Sequence, residues 1–506
     1  MHEHTVRATT RSGIVEGFVR NGVNRWRSIP YARPPVGALR FRAPQPPQPW
    51  RGVRYCHGFA NCAPQQRRYT MLGVGKYQPM GEDCLTLNVV TPQWSGTEPD
   101  RAPLPVMFFI HGGGYLMGSS ATPLYDGAAL ARRGCVYVSV NYRLGALGCV
   151  DLSSLSTPDT PIDSNLFLRD LVMALRWVRD NIGAFGGDPG NVTIFGESAG
   201  AHAVATLLAV PEAEGLFAQA ISESPASGLV SGPETAATIA GKFAKLLGAG
   251  GDDAAETLMR ARPRDLVVAL DTLLTESMTE MDGAFSLGPT YGDDVLPDDP
   301  VAAMRRGAAH KVPLIVGTNA DEGKLFTRFM KLLPTTESAI ERLLAGTEPE
   351  ARQRITAAYP GYPRPEACVQ LGGDFAFGTA AWQIAEAHSP HAPTYVYRYD
   401  YAPRTLHWSG LGATHATELL AVFDIYRTRF GSALTAAMDR RSALRVSRDV
   451  QNRWRHFGRA GVPGEDWPRY TESERPVLVF DRHTRVDYDP HPHRREAWAG
   501  FSLAGR

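Results

Sequence analysis

Residues 191–200 read NVTIFGESAG, and residues 201–210 read AHAVATLLAV before Pro211. A β-branched and aromatic run therefore ends at Gly196, and a helical pattern starts after Gly200. Gly196-Glu197-Ser198-Ala199-Gly200 is a G-x-S-x-G turn in the strand–turn–helix setting that a nucleophile elbow requires. So sharp a turn demands residues without side chains two before and two after the serine. The hydroxyl of Ser198 is then lifted clear of the sheet. The N–H of Ala199, backed by the helix dipole, can face a developing oxyanion. Taken alone, the two glycines would serve equally well for tight helix packing. The strand before them and the helix after them favour a nucleophile.

Further buried-strand runs lie on either side: 105–110, 135–141, 191–195, 314–317, 394–399 and 476–480. They are continuously apolar, which suits strands covered on both faces. Between them the clearest helical spacing runs from Leu166 to Ile182, through Leu168, Leu171, Val172, Leu175 and Val178. Strands alternating with helices predict an α/β class, a mostly parallel sheet flanked by helices. The alternating segments 5–20 and 23–29 predict an antiparallel edge. Two stretches, about 225–281 and 326–388, are richer in helix than in strand. They read as insertions into a single domain spanning 1–506, although 506 residues would also accommodate three domains.

Composition narrows the partners. Lys+Arg total 53 against 52 Asp+Glu, a net charge of +1, so nucleic acid is not expected as a partner. Only six of the cations are lysine, which reflects codon composition more than function. The N-terminus has no signal-peptide pattern, and no window is apolar enough for a membrane span. Six cysteines in so long a chain do not make a disulfide scaffold, and none forms a CxxC pair. The expected location is the cytoplasm, with secretion by another route left open.

A second signal is Ile110-His111-Gly112-Gly113-Gly114-Tyr115, directly after the strand PVMFFI. Three glycines leave backbone N–H groups uncovered, as in an oxyanion hole of the HGGG type. A phosphate-binding turn would want a following Lys-Ser/Thr pair, and the sequence continues Tyr-Leu-Met-Gly instead.

A serine nucleophile needs a base and an acid that orients it, in the chain order Ser, Asp/Glu, His for this kind of elbow. LIVGTNADEG (314–323) puts two carboxylates after a strand, and LGATHATELLAVF (411–423) puts a histidine in a loop before a helix. With SIPYARPPVGALRF (28–41), GEDCLTLNV (81–89), VNYRLGALG (140–148) and FGGDPGNVTIFGESAG (185–200), the chain resembles the type-B carboxylesterase family, which includes bacterial para-nitrobenzyl esterases and animal cholinesterases. The matching motifs run in the family's order from Ser28 to Phe423.

The resemblance implies an α/β-hydrolase fold and a serine carboxylesterase that forms an acyl-enzyme. It implies Ser198 as nucleophile, Glu322 as orienting acid and His415 as general base. The oxyanion donors would be Gly113, Gly114 and Ala199, with Glu197 supporting the histidine side. Strand-end geometry does not separate Asp321 from Glu322; the family pattern alone decides for Glu322. His491 and His493 read as surface loops, His111 as a shaper of the glycine loop, and His202 as a packing residue. Cys62 and Cys84 match two family cysteines that close a loop as a disulfide, although a cytoplasmic location would keep them reduced. The loop between them has no tryptophan to hold a quaternary ammonium, and Arg67, Arg68 and Lys76 stand there instead. A choline ester is therefore disfavoured; the two arginines suit an acidic or polar substrate edge, or simply solvent. Ser164, Phe167 and Leu171 replace two glycines and a glutamine of a family pattern.

No metal or organic cofactor is expected, and the expected partner is a small-molecule ester, acted on by a monomer or homodimer. Amide or carbamate hydrolysis by the same triad is the alternative chemistry. A non-catalytic binding role, as in the family's neuroligin-like members, is the distant one.

Overall fold

The computed structural model describes residues 4–93, 102–280, 287–328 and 332–501. Among the described residues the centre is a 13-stranded sheet. Twelve strands form its path: β1 (Thr5–Thr10), β2 (Gly13–Arg20), β3 (Val23–Pro30), β4 (Thr86–Pro92), β5 (Leu104–Ile110), β6 (Val136–Val140), β7 (Gly187–Glu197), β8 (Gln219–Glu223), β9 (Leu314–Asn319), β10 (Thr394–Tyr399), β11 (Pro476–Phe480) and β12 (Arg485–Tyr488). The order is β1-β2-β3-β4-β6-β5-β7-β8-β9-β10-β11-β12, and Val53–Tyr55 pairs with β2 off that path. From β6 through β11 every pairing is parallel. The first four strands and the last pair are antiparallel, so the expected antiparallel edge is present.

The apolar runs are continuous because each strand feeds two cores. Phe108, Ile110, Val138, Ile194 and Val316 point to one face, where Leu168, Leu171 and Leu175 of the helix Leu166–Asn181 cover them. Their neighbours Met107, Phe109, Tyr137, Phe195 and Ile315 point to the other. There the helix Arg440–Ala460 contributes Val446, Val450, Trp454 and Phe457 before it ends on Gly461 at φ 69°. Side chains alternate across a strand, so a strand buried on both sides has no polar positions to alternate with.

The six expected strand runs are all strands, and β7 extends further at both ends than its apolar run. Two interior strands, β4 and β8, were not among them. β8 reads QAISE, where polar residues interrupt the apolar pattern although all five are buried.

The stretch from 225 carries the helices Pro233–Leu246, Ala254–Arg260 and Pro263–Glu280. The stretch to 388 carries Glu337–Leu343, Pro349–Ala357, Pro365–Gly373 and Thr379–His388, with a π-turn over Asp374–Gly378. It has a cluster of its own, in which Phe326, Leu371, Phe375 and Phe377 pack with Trp498. Met281 and residues 329–331, inside the bounds expected for these stretches, lie outside the described residues.

Candidate active site

Ser198 sits between β7 and the helix Ala199–Leu207 at φ 60° and ψ −124°, a conformation that an ordinary L-residue avoids. The flanking glycines have a measurable reason. A Cβ on Gly196 would come within 2.5 Å of the Ile110 carbonyl oxygen, and one on Gly200 within 2.1 Å of the same atom. The turn is held by the Ser198 N–H, which donates to the Glu223 carbonyl at 2.9 Å. Ala199 begins the helix, so its N–H is among those with no partner inside it.

The glycine loop lies against this turn. A Cβ on Gly112 would be 3.0 Å from the Ser198 Cβ, and Gly113 and Gly114 have φ 113° and 61°. Gln65 clamps the loop end, accepting from the Gly118 N–H and donating to the Gly118 carbonyl, both at 2.9 Å. His111 stacks on Tyr142 with ring centroids 4.7 Å apart and donates from Nδ1 to the Gly112 carbonyl. Burial pushes it down to about 4, so it is neutral. His202 is buried, hydrogen-bonded to the Tyr115 hydroxyl at 2.9 Å, and lowered to about 3 by burial. Phe167, one of the residues replacing a glycine, is fully buried against the Tyr115 ring of this loop.

Glu322, just past β9, is turned inward. Its Oε1 accepts from the Ser224 hydroxyl and the Asn319 N–H, each at 2.6 Å. Its Oε2 accepts from His415 Nδ1, also at 2.6 Å. Asp321 turns outward, to Lys324 Nζ at 2.8 Å and the Ala413 N–H at 3.2 Å. The His415 ring is stacked on Phe377 at 4.2 Å, with Phe326 at 5.3 Å. Its other nitrogen, Nε2, lies 3.0 Å from Glu197 Oε1.

Burial alone would lower His415, but the carboxylates of Glu197 and Glu322 outweigh it and raise the imidazole to about 9. Burial raises Glu197 to about 7, opposed by His415. Glu418 is raised to about 8, by burial and then by Glu197 and Glu322. It accepts from Asn319 Nδ2 at 2.6 Å. Ser224, Asn319, Glu418 and Phe377 were given no role from the sequence, although Asn319 and Glu418 lie within the stretches 314–323 and 411–423. Ser224 follows β8 with φ 56°, and Glu418 stands three residues after His415; neither carries a motif of its own.

A cavity of about 310 Å³ borders the glycine loop at Leu116 and Met117, and Leu266, Leu270 and Leu274 of the helix Pro263–Glu280 form its apolar wall. Arg68 reaches its rim, with its guanidinium 4.7 Å from the Tyr69 ring, while Arg67 covers Tyr77 at 4.6 Å.

Other expected residues lie elsewhere. Cys62 and Cys84 are buried free thiols, so the bridge that the resemblance implies is not formed. Cys62 Sγ faces the Pro79 carbonyl at 3.6 Å, and burial pushes its thiol up to about 12. His493 belongs to a short helix, Pro492–Ala497, where a loop was expected, and His491 accepts from Arg398 Nη1 at 2.8 Å.

The Carboxylesterase family matches residues 3–498 of the chain. The para-nitrobenzyl esterase of Bacillus subtilis (strain 168) is 37% identical over 497 residues, covering 96% of this chain and 97% of that protein. The fumonisin B1 esterase of Sphingopyxis macrogoltabida is 36% identical over 93% of this chain and 85% of its own. Among solved structures, a PNB esterase matches with a TM-score of 0.86 at 35% identity, over 98% of this chain and 99% of that one. A Geobacillus stearothermophilus carboxylesterase matches with a TM-score of 0.83 at 34% identity, over 97% and 99%.

Proposed function

The chain belongs to the carboxylesterase family and is a carboxylic ester hydrolase of the α/β-hydrolase fold; from that premise we propose that Ser198, Glu322 and His415 are its catalytic triad. The observation that carries this reading is the 2.6 Å hydrogen bond from His415 Nδ1 to Glu322, which sets the imidazole tautomer and leaves Nε2 to take a proton.

Neutral His415 accepts the Ser198 proton as the hydroxyl attacks the ester carbonyl. The N–H groups of Gly113, Gly114 and Ala199 receive the oxyanion, and losing one such donor costs about 2.7–4 kcal/mol. The imidazolium then protonates the departing alcohol. Water attacks the acyl-enzyme by the same path, releasing the acid and restoring the serine. Glu197 stabilises the imidazolium formed in both halves. Phe326 and Phe377 stack on each other and both pack against the His415 ring, which is buried.

The same reading takes residues 1–506 as one catalytic domain whose helix-rich stretches wall the substrate cavity. Its substrate is a small ester, hydrolysed in the cytoplasm by a monomer or homodimer. Among the described residues no helix is long and apolar enough to cross a membrane.

The test is the initial rate on para-nitrophenyl acetate, butyrate, octanoate and laurate, wild type beside Ser198→Ala. Rates that peak at short chains and vanish in a folded mutant are expected. Turnover retained by Ser198→Ala removes the nucleophile assignment.

A further inference from the structure

Glu322 also borders a second cavity, of about 240 Å³, into which four arginines project: Arg398 from β10, Arg475 just before β11, and Arg494 and Arg495 from the helix Pro492–Ala497. These cations are unequally matched. Arg398 is closed by Asp400, with hydrogen bonds of 2.6 and 2.7 Å. Arg495 is closed by Asp489, with hydrogen bonds of 3.2 and 2.9 Å.

Arg475 reaches Glu386 only at 3.5 Å, and that carboxylate is shared with Arg495 at 3.7 Å. Its Nη1 donates to the Glu472 carbonyl, and its Nε is buried without a hydrogen-bond partner among the described residues. Arg494 stands 3.7 Å from Asp374 Oδ2, beyond hydrogen-bond reach, and its Nε is buried and unpartnered too. Tyr359 already donates to Asp374 at 2.9 Å, so this carboxylate is held by a neighbour other than Arg494. A buried donor with no acceptor is costly to leave so.

We propose that this cavity binds a small alkyl carboxylate through Arg475 and Arg494. The planar guanidinium fork fits a carboxylate or a phosphate equally. The remaining wall distinguishes them: Trp382, Val396 and Val477 line the same space and give a hydrocarbon tail a surface that phosphate cannot use. Alkyl carboxylates are the acid products of ester hydrolysis. Bound here, the product would add a negative charge beside Glu322, outside the cavity at the glycine loop.

The experiment is calorimetric titration with butyrate, butyramide and inorganic phosphate against wild type, Arg475→Gln, Arg475→Lys and Ser198→Ala, each checked for its thermal melt. Expected is saturable butyrate binding with Kd on the order of 1 mM. It should weaken at least tenfold in Arg475→Gln, less in Arg475→Lys, and persist in Ser198→Ala. Butyramide and phosphate should bind more weakly than butyrate. Each of these results overturns the proposal: no saturable butyrate signal, undiminished binding in Arg475→Gln, binding lost in Ser198→Ala, or butyramide binding as tightly as butyrate. The last comparison needs only the wild type, so it stands even if Arg475→Gln does not fold. Phosphate matching butyrate would reduce the site to one for any anion and would overturn the carboxylate assignment.

Discussion

His415 Nε2 and Glu197 Oε1 lie 3.0 Å apart, both buried, so one carboxylate flanks each side of the imidazole. A general base works from its neutral form, and a raised imidazole therefore moves the acid limb of kcat/KM to higher pH. Glu197→Gln removes the largest raising charge on His415. The limb should move down by about one pH unit or more. At the same time kcat should fall, because the imidazolium of the transition state loses a partner. An unmoved acid limb in the rate–pH profile rules this coupling out.

The neighbouring carboxylates 321 and 322 have opposite directions, inward for Glu322 and toward Lys324 for Asp321. Glu322→Gln should lower kcat by about 10³-fold or more, since the histidine loses its orienting charge. Asp321→Asn should stay within about tenfold, losing an exposed ion pair of small worth. Steady-state rates on one ester rank the two; the reverse order would move the acid by one residue.

Ser224 is 98 residues from Glu322 in sequence and donates to it at 2.6 Å. Ser224→Ala leaves Glu322 Oε1 with the Asn319 donors, so the charge persists but its direction is less fixed. The expected loss is in kcat, about tenfold, with KM unchanged. A change confined to KM would mean that the serine acts on substrate binding instead.

Gly200→Ala should destabilise the chain by about 1–3 kcal/mol and abolish turnover, because its Cβ would press on the Ile110 carbonyl. Gly183, which has open space where a Cβ would go, is the control, and Gly183→Ala should stay within about 0.5 kcal/mol. Urea unfolding of both compares the sites directly. Equal stabilities would mean that the elbow relaxes at no cost.

Arg143 and Asp170 form a buried ion pair, with Nη2–Oδ1 at 2.6 Å and Nε–Oδ2 at 2.8 Å, and side chains 3% and 0% exposed. Asp170→Asn leaves an uncompensated buried guanidinium and should cost about 3–5 kcal/mol in urea unfolding. A loss below about 1 kcal/mol would be that of a solvated pair.

The sequence by itself determined the local geometry. The apolar runs of β5, β7 and β9 marked strands covered on both faces, and G-x-S-x-G and the glycine triplet marked two turns whose backbone requirements few residues meet. These are short-range properties, set by sterics and periodicity within about ten residues. β8 escaped because QAISE, although wholly buried, carries polar residues that take their partners from other elements: Ser222 donates to the Ala201 carbonyl and Glu223 accepts from Trp454. Glu322 could be preferred to Asp321 only by family resemblance, since the direction of a side chain past a strand end depends on what packs there. Tertiary structure alone decided that Glu322 faces His415, that Ser224 and Asn319 hold it, that Glu197 and Phe377 enclose the imidazole, and that Cys62 turns to a carbonyl instead of to Cys84. The reason is sheet register: strands far apart in sequence become neighbours, and only their pairing says which side chains share one buried space.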